Sequence, residues 1–417
     1  MLKEFAIRNY KSFKNEVVFT MEPDTFGVSE LKHHISPKTG LLKVASIYGP
    51  NAGGKTNLLS ALVVLKRIIT EYYNIPLLLE INKEIRDVES FKFSDDDDKV
   101  VTFKVFFIDD KYEIGYHIDF EKIRNNDSDT IFFHYENVSY RPLKETEFKN
   151  LFVRDNVSVQ AKELAEEMGV SSLRVADTSS FISSLSPYIN TTRDNPPYLD
   201  IIFRLMKEIK SIKVLQNLKR TNTINMRALA KQYEDPDIKQ KVIQILNELD
   251  INISDILIDQ TNKNDPLIYC EHFAGSKKFT LKYDEESKGT HILIHNLPLL
   301  ITAIKDGNIV AVDEMDAHLH PKLTQKIIEL FTSEKNEKSQ LIFNSHDIWN
   351  MNNENFRRDE IWFVIRNEKL ESELICLSDF EDYKGDKVRK DAKYSKQYME
   401  GKYGTDPFIK KGVVGSE

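Results

Sequence analysis

Residues Ser46-Ile-Tyr-Gly-Pro-Asn-Ala-Gly-Gly-Lys-Thr-Asn-Leu-Leu59 decide the reading of this chain. Gly49 to Thr56 fits G-x-x-x-x-G-K-[ST], the phosphate-binding loop. The flanks supply the context that motif needs. Leu42 to Tyr48 is apolar and β-branched enough for a buried strand, and Thr56 to Leu65 repeats its apolar residues at helical spacing. Glycines let the backbone wrap a phosphate, so that successive N–H groups and the helix N-terminus point at it. Gly49, Pro50, Asn51, Ala52, Gly53 and Gly54, with Asn57 in the first helical turn, form the expected cradle. Lys55 adds a point charge for the outer phosphates, and the Thr56 hydroxyl is placed to ligate Mg²⁺.

The chain of 417 residues has room for about two to three domains and a sizeable core. With 41% hydrophobic and 30% charged residues it has the composition of a soluble globular protein. Acidic residues outnumber basic ones, 66 to 58, so global charge does not point to nucleic acid. Cys270 and Cys376 are too few for a disulfide framework or a thiolate zinc site. Met1 to Asn9 lacks a signal-peptide apolar core, and no apolar run approaches membrane-spanning length. A cytoplasmic protein with no membrane partner is expected.

Phe5 to Arg8 and Glu16 to Thr20 alternate as strands joined by Asn9-Tyr-Lys-Ser-Phe13. That hairpin either brings Tyr10, Lys11 or Phe13 to a nucleotide base or is an ordinary sheet edge. After the loop helix, Val100 to Phe107 and Lys111 to Ile118 flank Asp109-Asp110, a plausible turn. From about Val157 to Leu249 the character is helical, over 160–168, 198–218, 224–233 and 237–249. Between Arg204 and Lys231 eight Lys/Arg face only Glu208. Such a stretch can track nucleic-acid phosphates, dock an acidic partner, or be a solvated helix face.

The second half carries three further elements. Asn308-Ile-Val-Ala-Val-Asp-Glu314 is an apolar strand ending in paired carboxylates. In phosphate-loop ATPases such a strand lies beside the loop and sends its Asp to the Mg²⁺ shell, a role that suits Asp313. Glu314 can orient and deprotonate the attacking water. Gln340-Leu-Ile-Phe-Asn-Ser-His-Asp347 is a second buried strand, ending in His346, which is either structural or a γ-phosphate contact. Ser287 and Gly289, in Glu286-Ser-Lys-Gly-Thr290, sit at an expected helix start, where an anion or a plain N-cap is accommodated. Pro298 is expected to kink or interrupt that helix.

Loop, Glu286–Thr290, Val312-Asp-Glu-Met-Asp-Ala-His-Leu-His-Pro321 and Asn344–Asp347 occur in the order of ABC-type ATPase domains. With Ile7–Phe13, Arg358–Val364 and Tyr398–Pro407, the chain resembles the AAA/ABC-type ATPases of bacterial abortive-infection and anti-phage systems, the AbiL/RloA type and the AriA component of PARIS. The resemblance spans nearly the whole chain. It implies an α/β fold, an ABC-type phosphate-loop head of mixed sheet flanked by helices, with an inserted β-rich subdomain and a helical lobe. The expected division is 1–150 for the first part of the head with the β-rich subdomain, 151–260 for the lobe, and 261–417 for the rest of the head.

It also implies roles. Lys55 and Thr56 would hold ATP and Mg²⁺, Asp313 the Mg²⁺ shell, Glu314 the water and His346 a γ-phosphate switch. Ser287 and Gly289 would match the signature that contacts the γ-phosphate on an opposing subunit, and Asp316 the loop linking the two sites. A head-to-tail dimer around ATP follows, with slow hydrolysis serving a switch. The implied partners are a second copy, an effector nuclease or toxin, and a phage-encoded trigger. Nucleic acid could bind at 204–231 or at the tail 384–411. In that tail Tyr383 to Lys411 sets nine Lys/Arg against four Asp/Glu among tyrosines, a mixture that equally suits a structural or assembly role. Two features depart from the transporter pattern: Lys288 is bulky and charged, and the usual Gln contact on a strand following the loop helix is unassigned. His318 and His320 are read as packing or interface residues, with no metal. The alternative function is a DNA-clamping ATPase of DNA repair or maintenance, resembling SMC proteins; a transporter motor is a third reading.

Overall fold

The computed structural model describes residues 1–24, 31–70, 88–94, 97–124, 129–191, 194–216, 226–262, 266–317, 319–381, 387–389 and 392–403. A six-stranded sheet runs in the order Ile212–Gln216, Ile309–Asp313, Gln340–Asn344, Val44–Tyr48, Ile361–Arg366 and Ser372–Cys376. The first five strands are parallel and the last is antiparallel. A parallel sheet is covered on both faces, so its strands read as unbroken apolar runs; Val44–Tyr48 and Gln340–Asn344 are accordingly buried at every residue. Ligands of such sheets gather at the carboxyl ends of the strands. Gly49, Glu314 and Ser345-His346 all follow such ends.

The acidic strand is not the immediate neighbour of the phosphate-loop strand. Gln340–Asn344 lies between them, pairing Ile342 with Ala45 on one side and with Ala311 on the other. Parallel strands need crossovers, so chain order leaves neighbour order open. The interposed strand brings its own terminal side chain, Asn344, into the space between loop and carboxylates.

An antiparallel sheet of eight strands runs Val17–Thr20, Leu2–Arg8, Val101–Ile108, Tyr112–Arg124, Asp129–Pro142, Lys149–Asp155, Ser158–Gln160 and Leu173–Arg174. Asp109 makes its expected turn by accepting from the N–H groups of Lys111 (2.7 Å) and Tyr112 (2.8 Å). The last two strands extend the sheet beyond residue 157, where helix is expected from sequence. Arg154 lies on the strand that precedes them. Its buried guanidinium meets Glu136 at 2.6 Å, and Glu136 also accepts from the Phe181 N–H at 2.6 Å. This satisfied pair ties strands Asp129–Pro142 and Lys149–Asp155 to the turn before Phe181.

Helix Lys55–Thr70 buries Leu58, Leu62, Leu65 and Ile69 in a core shared with Phe103 of the eight-stranded sheet and Ile342 of the central one. Their spacing sets one apolar stripe toward the core. A third sheet, Ile253–Asp259, Leu267–Ala274 and Lys277–Lys282, packs with Pro236–Glu248 and Lys288–Asp306 around Val242, Ile256 and Leu297.

Three further expectations are corrected. The helix expected over 198–218 is Pro197–Ser211, and the following Ile212 and Val214 pair with Ile309 and Ala311 as an edge strand of the central sheet. Burial of that β-branched run overrides its helical pattern. The basic stretch 204–231 is thereby split, and its residues 217–225 lie outside the described residues. Arg204 turns back onto Asp109 (2.6 Å), Asp110 (3.0 Å) and Asp200 (2.8 Å). Of the kink or interruption expected at Pro298, finally, the interruption does not occur, and one helix runs from Lys288 to Asp306. Proline removes the hydrogen bond that would reach the carbonyl of Ile294. The Tyr233 hydroxyl donates to that same carbonyl at 2.6 Å, replacing the missing N–H. In the tail, Tyr398 and Tyr403 stack on Phe363 at 5.5 and 5.1 Å and are buried, as is Tyr394; residues 404–417, with Phe408, lie outside the described residues. Among the described residues no helix is long and apolar enough to cross a membrane.

Candidate phosphate-binding site

The loop leaves its strand at Gly49 with φ +146°, and a Cβ there would lie 2.3 Å from the carbonyl oxygen of Val364. Gly54 has φ +115°, and its Cβ would meet the hydroxyls of Ser12 and Ser372 at 2.6 and 2.7 Å. Both positions combine positive φ with a space no methyl can enter. Ala52 takes the left-handed conformation between them, φ +60°. The clamp around the loop comes from distant chain. Ser372 Oγ donates to the Gly53 carbonyl at 2.6 Å, Asn57 Nδ2 donates to Ser12 Oγ at 2.8 Å, and the Ser372 N–H donates to the Ser12 carbonyl at 2.7 Å.

Lys55 opens the helix and is buried. Its Nζ donates to the carbonyls of Gly49 (2.8 Å) and Pro50 (3.1 Å). Burial pushes its pKa down to about 8, against the opposing pull of Asp313, Asp316 and Glu314. A desolvated ammonium resting on two carbonyls, beneath a glycine cradle, fits an incoming polyphosphate.

Opposite the loop, Asp313 Oδ1 accepts from Thr56 Oγ1 at 2.9 Å and from Asn344 Nδ2 at 2.5 Å. Asn344 Oδ1 in turn accepts from the Glu314 N–H. Glu314 has φ +50°, the left-handed region that a carboxylate residue enters at a cost. Asn344 thus holds the backbone of one carboxylate residue and the side chain of the other. His346 donates its backbone N–H to Asp316 Oδ1 at 3.1 Å. Partial burial, then Lys55, lowers the His346 pKa, so its imidazole is neutral near pH 7.

These groups line one cleft of 470 Å³, which includes residues 50–57, Glu314, Asn344 and His346. Asp313 joins it through Thr56 and Asn344, and Asp316 through the backbone of His346. Ser287 and Gly289 are outside that lining. Ser287 caps helix Lys288–Asp306 by accepting from the Thr290 N–H at 3.2 Å, and it is exposed. A Cβ on Gly289 would meet only Ser287 Oγ, at 4.0 Å. Of the hairpin residues Lys11 reaches the cleft, whereas Tyr10 and Phe13 are fully buried, Tyr10 against Phe103 at 5.3 Å. His320 accepts from the Lys322 N–H at 3.3 Å as a helix cap, and His318 lies outside the described residues. Among the described residues no three His, Cys, Asp or Glu are grouped to hold a metal. Thr56 and Asp313 alone offer two oxygens, which suits Mg²⁺ bound chiefly by phosphates and water.

Sequence reading leaves Ser12, Ser372 and Asn344 without a role. Asn344 carries a signal, a buried polar residue closing an apolar strand; Ser12 and Ser372 carry none, because their partners are remote in the chain.

No curated protein matches the chain in sequence. Solved structures resemble it in chain path at low identity. The SMC head bound to the C-winged helix domain of ScpA has 14% identity, covers 90% of this chain and 97% of its own, and gives a TM-score of 0.46. The SMC head domain from Thermotoga maritima has 12% identity, coverage of 90% and 98%, and a TM-score of 0.44. The Smc head with an extended coiled coil, bound to the C-terminal domain of ScpA derived from Pyrococcus furiosus, has 12% identity, coverage of 90% and 95%, and a TM-score of 0.44. A family described as "AAA domain, putative AbiEii toxin, Type IV TA system" matches residues 44–348, from the phosphate-loop strand to just past His346. The chain belongs to this family of AAA domains.

Proposed function

We propose that the protein is an ATP-binding and hydrolysing switch of an anti-phage system, of the abortive-infection or toxin–antitoxin kind, that closes in pairs around ATP and governs a separate effector nuclease. The observation that carries the proposal is the lining of the cleft, which gathers the loop, Lys55, Glu314 and His346 without Ser287 and Gly289. Asp313 joins them through Thr56 and Asn344, while Ser287 is exposed and caps a separate helix that includes Gly289. The family's toxin–antitoxin description supports the biological setting.

In this reading the loop amides and Lys55 hold the phosphates, and Thr56 and Asp313 hold Mg²⁺. Bound Mg²⁺ would neutralise charge on the β- and γ-phosphate oxygens. The Glu314 carboxylate takes the proton of the water that attacks the γ-phosphorus. His346, neutral, donates one ring N–H toward a γ-phosphate oxygen. Ser287 and Gly289 of a second copy complete the site from the far side, and Asp316 links the two sites. A DNA-clamping function is less well supported, because Arg204 of the basic stretch is already engaged by three aspartates.

The test is a set of three variants. Glu314→Gln should retain ATP and accumulate the closed pair, measured by light scattering. Lys55→Ala should lose ATP binding. Full ATPase activity in a strictly monomeric Ser287→Arg protein would overturn completion by a second copy.

A further inference from the structure

The lining of the cleft extends beyond the loop and the strand ends. There the segment carrying Glu89, Lys92 and Phe93 and the end of strand Ile361–Arg366 complete the lining. Phe93 is an aromatic ring in a polar surround, and it is 61% exposed. An exposed phenylalanine loses favourable burial, so its holding in place calls for a reason.

It is held at several points. The Lys11 N–H donates to the Glu89 carbonyl at 2.8 Å, and the Phe91 N–H donates to Asn9 Oδ1 at 3.1 Å. Lys14 Nζ donates to Ser94 Oγ. Phe91 is buried and meets Phe93 edge-on at 5.9 Å, while the Arg366 guanidinium sits 5.8 Å from the Phe93 ring centre. The hairpin residues Asn9 and Lys11 themselves take left-handed conformations, φ +50° and +51°, to present these groups. A ring anchored on its backbone side, with a cation against it, and left open to a cleft already holding a phosphate cradle has the chemistry of a stacking surface for a flat heteroaromatic.

We propose that Phe93, steadied by Arg366, is the platform for the nucleotide base. The inference rests on the reading of the cleft as an ATP site. It replaces Tyr10 and Phe13, which the core consumes, as the aromatic partner of the base. Stacking uses the π-face that every base has, so the platform contributes affinity and discriminates little between adenine and guanine.

The experiment compares ATP with inorganic tripolyphosphate, which has the phosphates and no base, by calorimetry on the full chain. Phe93→Ala should weaken ATP about tenfold and leave tripolyphosphate unchanged, and Phe93→Tyr should bind ATP like the parent. Unchanged ATP affinity in Phe93→Ala would overturn the platform. So would equal weakening of both ligands, which marks damage to the cradle. Should the parent bind neither ligand, the ATP reading itself fails, a result distinct from both.

Discussion

Lys55 offers a direct measure of the cradle's electrostatics. With its pKa pushed down to about 8 from 10.5, the ammonium begins to lose its proton in the ligand-free protein just above neutrality. A polyphosphate favours the charged form, so binding above pH 8 must draw in a proton. One pH unit above the pKa about one molecule in eleven keeps the charge, so ATP affinity at pH 9 should be about tenfold below that at pH 7. Terminal phosphates complete their ionisation near pH 6, and His346, with its lowered pKa, is already neutral across this window. Lys55 is therefore the group within the cradle expected to move. Calorimetry in buffers of different ionisation enthalpy would report uptake rising toward one proton between about pH 7 and 9. The sign for the ligand-free protein is the reverse. A lysine with a depressed folded pKa penalises the fold while charged, so stability should rise as pH passes from about 8 toward 10.5. Constant affinity to pH 9 with no proton uptake would refute a desolvated Lys55 at the phosphates.

Other perturbations test separate links. Asn344→Ala strips a partner from Asp313 and from the Glu314 N–H; it should lower thermal stability by about 1–3 kcal/mol and depress ATP turnover more than ATP binding. Gly49→Ala, at φ +146° and facing the Val364 carbonyl at 2.3 Å, should destabilise far more than Gly40→Ala, which at φ +74° meets nothing within 4 Å; equal melting shifts would refute the steric argument. Leu62→Ala in the loop helix should cost about 2–5 kcal/mol in denaturant unfolding. Tyr233→Phe should cost about 1–2 kcal/mol in the parent and much less in a Pro298→Ala background, where a backbone N–H again reaches Ile294; an unchanged cost in the double variant would break that explanation.

The frame of the candidate site was legible because it is local. Gly49–Thr56, Asp313-Glu314 and Ser345-His346 each occupy the end of a short apolar strand, and the sheet needs only to be parallel to bring those ends together. Strand order was not legible. Nothing between residues 309 and 344 states that Gln340–Asn344 lies next to Val44–Tyr48, since parallel strands are joined by excursions whose length leaves the neighbour free. Ile212–Gln216 reads as helix because its residues continue the periodicity of Pro197–Ser211, and only the unsatisfied edge beside Ile309–Asp313 makes it a strand. Pro298 misleads for a related reason. A proline inside a helix leaves one carbonyl bare, and the sequence does not show that a tyrosine 65 positions earlier will fill it.

The same helix joins two cores. Lys288–Asp306 buries Ile292, Leu300 and Ala303 against the central sheet and Leu293, Leu297 and Ile301 in the core around the three-stranded sheet. Packed cores shift between discrete arrangements and do not stretch. A ligand gripping Ser287 at this helix's N-terminus would therefore move the helix as a unit and carry the three-stranded sheet with it. Strand Lys277–Lys282 of that sheet is exposed along its length, and it leads into Ser287 through a single turn, Tyr283–Glu285. His272 on the middle strand reinforces the link, meeting Glu286 at 2.6 Å one residue before the cap. In the proposed switch, then, occupancy of the γ-phosphate position in one copy is felt at the three-stranded sheet of the other through one helix and one His–Glu contact. His272→Ala should consequently loosen the coupling between ATP binding and pairing while leaving ATP affinity in the monomer intact. If pairing by ATP survives that change at full strength, the signal does not pass through the sheet.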